Sequence, residues 1–191
     1  MTCIVGLIAT EAVYIGADSL GSGNGVKQVY TTPKLVTLDV FEKKDLSLTK
    51  INVGIGYTTS YRMGDILRYH FTPPPIEIDE DENEYLVKDF IPELIKCFDE
   101  HSFAKTKEGT KSGGNFLVAI RGRLFHVQED FSILEPRCGY TAVGSGQEFA
   151  MGALFAFSRV QATPEKAVVN SIRAAGEFCT TVGGPVDYIK I

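Results

Sequence analysis

A threonine stands directly behind Met1, and two further residues of complementary type follow it, Asp18 and Lys34. Loss of Met1 leaves Thr2 with a free α-amine beside its own hydroxyl, a nucleophile and a base within one residue. An α-amine of pKa about 7.7–8.0 can take the hydroxyl proton near neutral pH. A nearby cation favours the neutral amine and stabilises a developing alkoxide, and a carboxylate holds that cation in place. Lys34 and Asp18 are the candidates for these two parts. The plain alternative is that Thr2 is a strand former at a chain end and Lys34 a charge that blocks edge pairing.

The elements around these residues decide whether they can meet. Residues 3–9 (CIVGLIA) and 12–17 (AVYIGA) are continuous apolar runs, the pattern of strands covered on both faces. Thr10 and Glu11 leave room only for a tight turn, so the runs form a hairpin that folds Asp18 back toward Thr2. A two-residue turn sets Asp18 across from Cys3 with its side chain on the wrong face. One extra turn residue or a bulge sets it across from Thr2, and this second register is the expected one. Pro33 fixes the entry to a strand over 34–40 that begins at Lys34.

Gly21, Gly23 and Gly25 lack a following Gly-Lys-Ser/Thr and open no helix, so they read as a flexible surface turn and not a phosphate loop. A strand over 51–57 leads to a helix over 59–71, closed by Pro73, Pro74 and Pro75. The acidic run IEIDEDENE reads as a solvated excursion before a continuous helix over 83–101. A polar loop, AKTKEGTKSGG, precedes strands in NFLVAIRG and RLFHVQED, then a short SILEP and a strand ending at Val143. Helices over 147–159 and 164–178 follow, the second capped by Thr163 with Pro164 at its first position. The chain closes with a short strand to Ile191. This order predicts an α+β fold of two packed, mainly antiparallel sheets with helices outside.

The 191 residues read as a single domain over 1–191, with 44% hydrophobic and 23% charged content. A net charge of -5 with scattered basic residues speaks against nucleic acid or membrane as partner. No run approaches the roughly 18 apolar residues of a membrane span, and no basic region precedes the apolar opening, so a cytoplasmic protein is expected. Cys3, Cys97, Cys138 and Cys179 lie far apart in apolar or strand-like contexts and read as buried free thiols. His70, His101 and His126 show no ligand spacing.

With these residues in place, "TCIVGL", "VYIGADS" and "KLVTL" resemble the proteasome β-subunit family and its simpler bacterial ATP-dependent peptidase (HslV-like) relative, both N-terminal-nucleophile (Ntn) hydrolases. "GYTAVGSGQEFAMGALFAF" is similar to the family's Gly-Ser-Gly and alanine-rich helix, and "EKAVVNSIRAAGEFC" to its penultimate helix. The resemblance implies a four-layer αββα sandwich and a threonine endopeptidase. In that scheme Thr2 is the nucleophile with its amine as base, Lys34 the cation, Asp18 its orienter and Ser145 a hydrogen-bonding support. An oxyanion-binding backbone N–H falls around Gly56 or Tyr57. The resemblance also implies a homo-oligomeric ring with an internal chamber, an unfolded polypeptide substrate and a separate ATP-dependent unfoldase. No cofactor is required. A candidate structural cation, monovalent or divalent, is implied at the backbone carbonyls of Gly176, Cys179 and Val182.

The chain departs from the family pattern at three places. "GIGYTTSY" replaces a small glycine-rich turn, which brings Tyr57 to the oxyanion region. "CTTVGG" offers Cys179 and Val182 where relatives place an Asp and a Ser, so that polar pair is expected to be absent. "PPPIEIDEDENEY" has no counterpart in the compact bacterial form. The alternatives to a peptidase are an inactive structural ring subunit and a free-standing Ntn amidohydrolase acting on small amides.

Overall fold

The computed structural model describes residues 2–10, 12–23, 26–107 and 109–191. The hairpin of β1 (Cys3–Ala9) and β2 (Ala12–Asp18) starts the chain, and a second hairpin of β3 (Leu20–Gly23) and β4 (Val26–Val29) follows. The glycine-rich stretch expected as a flexible turn is thus a paired ladder, Leu20 to Gly23 facing Val29 to Val26; Gly25 lies outside the described residues. Strands β5 (Leu35–Lys44) and β6 (Ser47–Tyr57) make a long hairpin that leads into α1 (Tyr61–Tyr69), capped by the Ser60 hydroxyl. The strand expected from Lys34 begins one residue later.

After a two-residue strand β7 (Ile76–Glu77), the helix expected to run unbroken is divided. It comprises α2 (Glu82–Tyr85), a π-helical turn over Leu86–Phe90 and α3 (Ile91–Glu100). Pro92 explains the break. It has no N–H to give to the turn before it, and a wider turn accommodates its ring. The polar loop after α3 contains a small hairpin, β8 (Lys105–Lys107) with β9 (Thr110–Ser112). Strands β10 (Phe116–Ile120), β11 (Arg123–Val127), β12 (Ile133–Leu134) and β13 (Tyr140–Gly144) then precede α4 (Gln147–Phe157), α5 (Pro164–Phe178) and β14 (Val186–Lys190). Thr163 caps α5 with Pro164 in the first turn, as the sequence predicts.

One sheet runs β13-β1-β2-β14 and the other β12-β11-β10-β6-β5-β7, antiparallel except for β5 with β7. The strand period of two then sorts the side chains. Cys3 and Val5 point to a layer with Leu154, Val168 and Ile172 of α4 and α5. Ile4, Val13 and Ile15 meet Leu35, Leu117 and Ala119 between the sheets. Val36, Val53 and Val118 pack against Met63, Leu67, Leu94 and Phe98 of the helices on the far side. The order is helix, sheet, sheet, helix: a four-layer αββα sandwich.

The expected register of the first hairpin is not the one adopted. Ile4 faces Ala17 and Ala9 faces Ala12, a regular ladder that places Asp18 across from Cys3, not Thr2. The acidic stretch is not a free excursion either. Arg121 binds the Glu77 and Glu80 carbonyls and pairs with Glu42 at 2.6 Å, while Arg123 pairs with Asp81, Glu82 and Glu135. All four cysteines are free, but only Cys3 and Cys97 are buried; Cys138 is exposed and Cys179 intermediate. No helix among the described residues is long and apolar enough to cross a membrane.

Candidate active site

Two side chains and one backbone N–H converge on one oxygen. Asp18 Oδ1 accepts the Thr2 hydroxyl at 2.5 Å, the Cys3 backbone N–H at 2.9 Å and the Lys34 ammonium at 2.8 Å. Thr2 and Lys34 are almost fully buried, at 3% and 5% exposure, and Asp18 is completely so. The register that seemed to forbid this contact permits it for a local reason. Asp18 is the last residue of β2, so its carboxylate bends back to the Cys3 N–H that a carbonyl would take inside a ladder. Face alternation binds residues within a strand and relaxes at its end.

The other groups fix the carboxylate and the ammonium. Gly183 N–H donates to Asp18 Oδ2 at 3.2 Å, and Lys34 Nζ also donates to the Leu20 carbonyl at 2.8 Å. Burial draws the Lys34 pKa below its usual value, opposed by the Asp18 charge and hydrogen bond. Burial, the Asp18 charge and Cys179 push the Cys3 thiol up to about 12, so it stays protonated. The cluster lies at a cavity of about 130 Å³ lined by Thr2, Lys34 and the segment 57–61.

Ser145 reaches Thr2 from the other side. Its hydroxyl donates to the Thr2 carbonyl at 3.3 Å, beside the Gly146 N–H at 3.4 Å. Gly144 allows this approach: its φ is +98°, and a Cβ there would lie 2.3 Å from the Thr2 carbonyl oxygen. The polar pair missing from "CTTVGG" has a substitute that the sequence reading overlooked. Thr181 places its hydroxyl 2.8 Å from Ser145 Oγ, and Cys179 Sγ lies 3.2 Å from the same hydroxyl. Burial raises the Cys179 pKa, but hydrogen bonds with Thr181 and Ser145 outweigh it and the thiol is net lowered. Thr181 stands one residue before Val182, the position to which the family pattern points, and that offset hides it in the sequence.

The resemblance implies an oxyanion-binding N–H around Gly56 or Tyr57. Gly56 sits between Leu35 and Leu117 inside the sheet, and the Tyr57 N–H already donates to the Lys34 carbonyl at 3.1 Å. Thr58 N–H donates to the Asn115 carbonyl. The next residue, Thr59, lines the cavity, holds φ at +73°, and its N–H has no acceptor among the described residues. Tyr57 does not fill the cavity with its ring. The ring packs on Gly64 of α1 and its hydroxyl donates to the Pro33 carbonyl at 3.1 Å. Thr32 and Tyr57 line cavities, whereas Val36 is core.

Gly176, Cys179 and Val182 fall at the end of α5 and the turn beyond it, next to Gly183, whose N–H donates to Asp18. The Cys179 carbonyl accepts the Val182 N–H at 3.1 Å, which leaves it one lone pair for a cation. Among the described residues no group of three or more His, Cys, Asp or Glu side chains is placed to hold a metal ion. Met1 lies outside the described residues.

No family model and no curated protein matches this chain. Solved structures do. BPH of Thiobacillus denitrificans in complex with epoxomicin superposes with a TM-score of 0.71 at 20% identity, over 99% of this chain and 97% of that one. Eukaryotic HslV from Trypanosoma brucei gives 0.63 at 16% identity, over 98% of each chain. Anbu, described as an ancestral β-subunit, from Yersinia bercovieri gives 0.63 at 14% identity, over 98% of this chain and 80% of that one. Identities this low speak to the fold alone, the αββα sandwich that this chain shares with these proteins.

Proposed function

We propose that this chain is a threonine-type peptidase subunit of a self-compartmentalised, proteasome-like assembly. The observation that carries the reading is the shared Asp18 oxygen, which gathers the Thr2 hydroxyl and the Lys34 ammonium in a buried cluster at a cavity. After loss of Met1, the Thr2 amine accepts the hydroxyl proton as Oγ1 attacks the substrate carbonyl carbon. The Thr59 N–H stabilises the oxyanion, and Lys34 the developing alkoxide. The amine returns the proton to the leaving amine, which departs as the C–N bond breaks, and leaves an ester on Thr2. Water, activated by the same amine, adds to the ester carbonyl and releases the acid.

Ser145 and Thr181 act as positioning residues, through the Thr2 carbonyl. The complex of BPH with epoxomicin and the fold shared with HslV support a covalent Thr2 chemistry here. Assembly of identical copies fits the outer helices: α4 is apolar around its circumference, with Phe149, Phe155 and, on α5, Phe178 exposed. An unfolded polypeptide substrate and a separate unfoldase belong to the same reading. So does a structural cation at Gly176, Cys179 and Val182, through which no step passes.

Intact mass of the purified chain before and after a peptidyl epoxyketone tests the reading. Loss of Met1 and a single adduct that Thr2→Ala abolishes are the expected results. A chain that keeps Met1 quantitatively and takes no adduct is instead a structural subunit.

A further inference from the structure

Beside the cavity at Thr2 opens a larger groove of about 520 Å³, and Gly21, Ser22 and Tyr61 line both. Two features of their shared wall are unusual. The Ser22 hydroxyl and the Tyr61 hydroxyl are each withdrawn from solvent without a hydrogen-bond partner among the described residues. An unpartnered buried hydroxyl carries a desolvation cost that a ligand group can relieve. Tyr61 keeps its proton at neutral pH, since burial and the neighbouring Tyr57, Asp18 and Tyr30 push its pKa up to about 12.

The groove also carries one charge. Asp65, on the first helix, is the charged side chain among its lining residues. The nearest cation, Arg68, is held elsewhere: its Nη2 donates to the carbonyls of Pro33 and Leu35 and approaches the Tyr57 hydroxyl at 3.4 Å. Its Nη1 stays 3.8 Å from Asp65 and makes no hydrogen bond. The Lys34 charge is already matched by Asp18. Tyr30, also in the lining, packs edge-on to Tyr61 at 5.4 Å between centroids.

We propose that this groove selects a cationic side chain, Arg or Lys, on the residue whose carbonyl Thr2 attacks. Asp65 meets the charge, the Ser22 and Tyr61 oxygens accept its remaining N–H groups, and the Tyr30 and Tyr61 rings flank the stem. An apolar side chain leaves both hydroxyls unpaired, and an acidic one meets Asp65. The proposal rests on the peptidase reading above.

The test uses the full chain after loss of Met1 and fluorogenic peptides that differ only in Arg, Leu or Glu before the scissile bond. Arg is expected to exceed Leu in kcat/KM by roughly tenfold or more, the effect of a charged hydrogen bond. Asp65→Asn should remove about that factor for the Arg peptide and lower the Leu peptide much less. Tyr61→Phe should also lower the Arg peptide selectively. Equal or better hydrolysis of the Leu peptide, or an equal loss on both from Asp65→Asn, overturns the subsite while peptidase activity stands. Absence of turnover on every peptide and of a Thr2 adduct with Arg- and Leu-bearing epoxyketones overturns the peptidase reading, and the subsite with it.

Discussion

Asp18 holds its neighbours by charge in a place without water, so its partners are not interchangeable. Lys34→Met leaves a fully buried carboxylate with three neutral donors, and losing one member of a buried pair costs about 3–5 kcal/mol. The urea midpoint should fall accordingly, and the Lys34→Met, Asp18→Asn double variant should recover part of the loss. The same lysine sets an alkaline limit. Its pKa is lowered in the folded state, so the unfolded chain binds the proton more tightly and folding bears a penalty at neutral pH. That penalty is relieved as pH rises from the folded value toward 10.5, while the ammonium needed for catalysis disappears over the same interval. Turnover should therefore drop in that window as the stability of wild type relative to Lys34→Met rises; a shared direction for both would refute the role given to Lys34. Thr181→Val keeps shape and removes the hydroxyl that anchors Ser145. Its expected signature is a fall in kcat of about tenfold with KM unchanged, one hydrogen bond of about 1 kcal/mol or slightly more.

Elements bring these residues together, and backbone clearances decide how closely. Strand β13 ends on Gly144, where a side chain would strike the Thr2 carbonyl at 2.3 Å. Gly144→Ala combines that clash with a left-handed φ, and a loss of at least about 1–3 kcal/mol is expected. Adduct formation by an epoxyketone should fail even in the fraction that folds, because Thr2 is displaced. Comparing adduct yield with the circular dichroism melt separates the two effects. At this scale much was legible in advance. The continuous apolar runs of β1 and β2 and the Thr163-Pro164 start of α5 are local signals, and they produced the elements expected of them; α1 ends at Tyr69, short of the prolines expected to close it. The division of the second helix around Pro92 was equally local but was missed because apolar periodicity continues through a π turn.

The whole molecule carries its net charge of -5 unevenly. The 76–82 segment is tied to the β10–β11 turn by Arg121 and Arg123, each facing more carboxylates than it can neutralise alone. Networks of partly exposed pairs are screened by salt. Arg123→Ala should cost on the order of 1–2 kcal/mol at low ionic strength and less in molar salt, seen as converging urea midpoints. On the opposite outer layer the apolar faces of α4 and α5 await cover. Phe155→Glu with Phe178→Glu is expected to shift sedimentation toward smaller species and leave the monomer folded. A wild-type chain that sediments as a monomer at all concentrations would remove the compartment from the functional reading and leave only an amidohydrolase.

Ser145 came from the family resemblance; residue types and period alone determined the candidates Thr2, Asp18 and Lys34, the two-sided burial of the sheets and the helix-covered sandwich. These follow from local chemistry and side-chain alternation, which a linear chain displays. Only the tertiary structure decided that Asp18 reaches Thr2 from a register that faces Cys3, that the Tyr57 N–H is spent on Lys34, and that Thr181 stands beside Ser145. Each is a matter of a strand end, a carbonyl partner or a one-residue offset between segments far apart in sequence. No periodicity records such distances, because they arise where ladders stop and their rules relax.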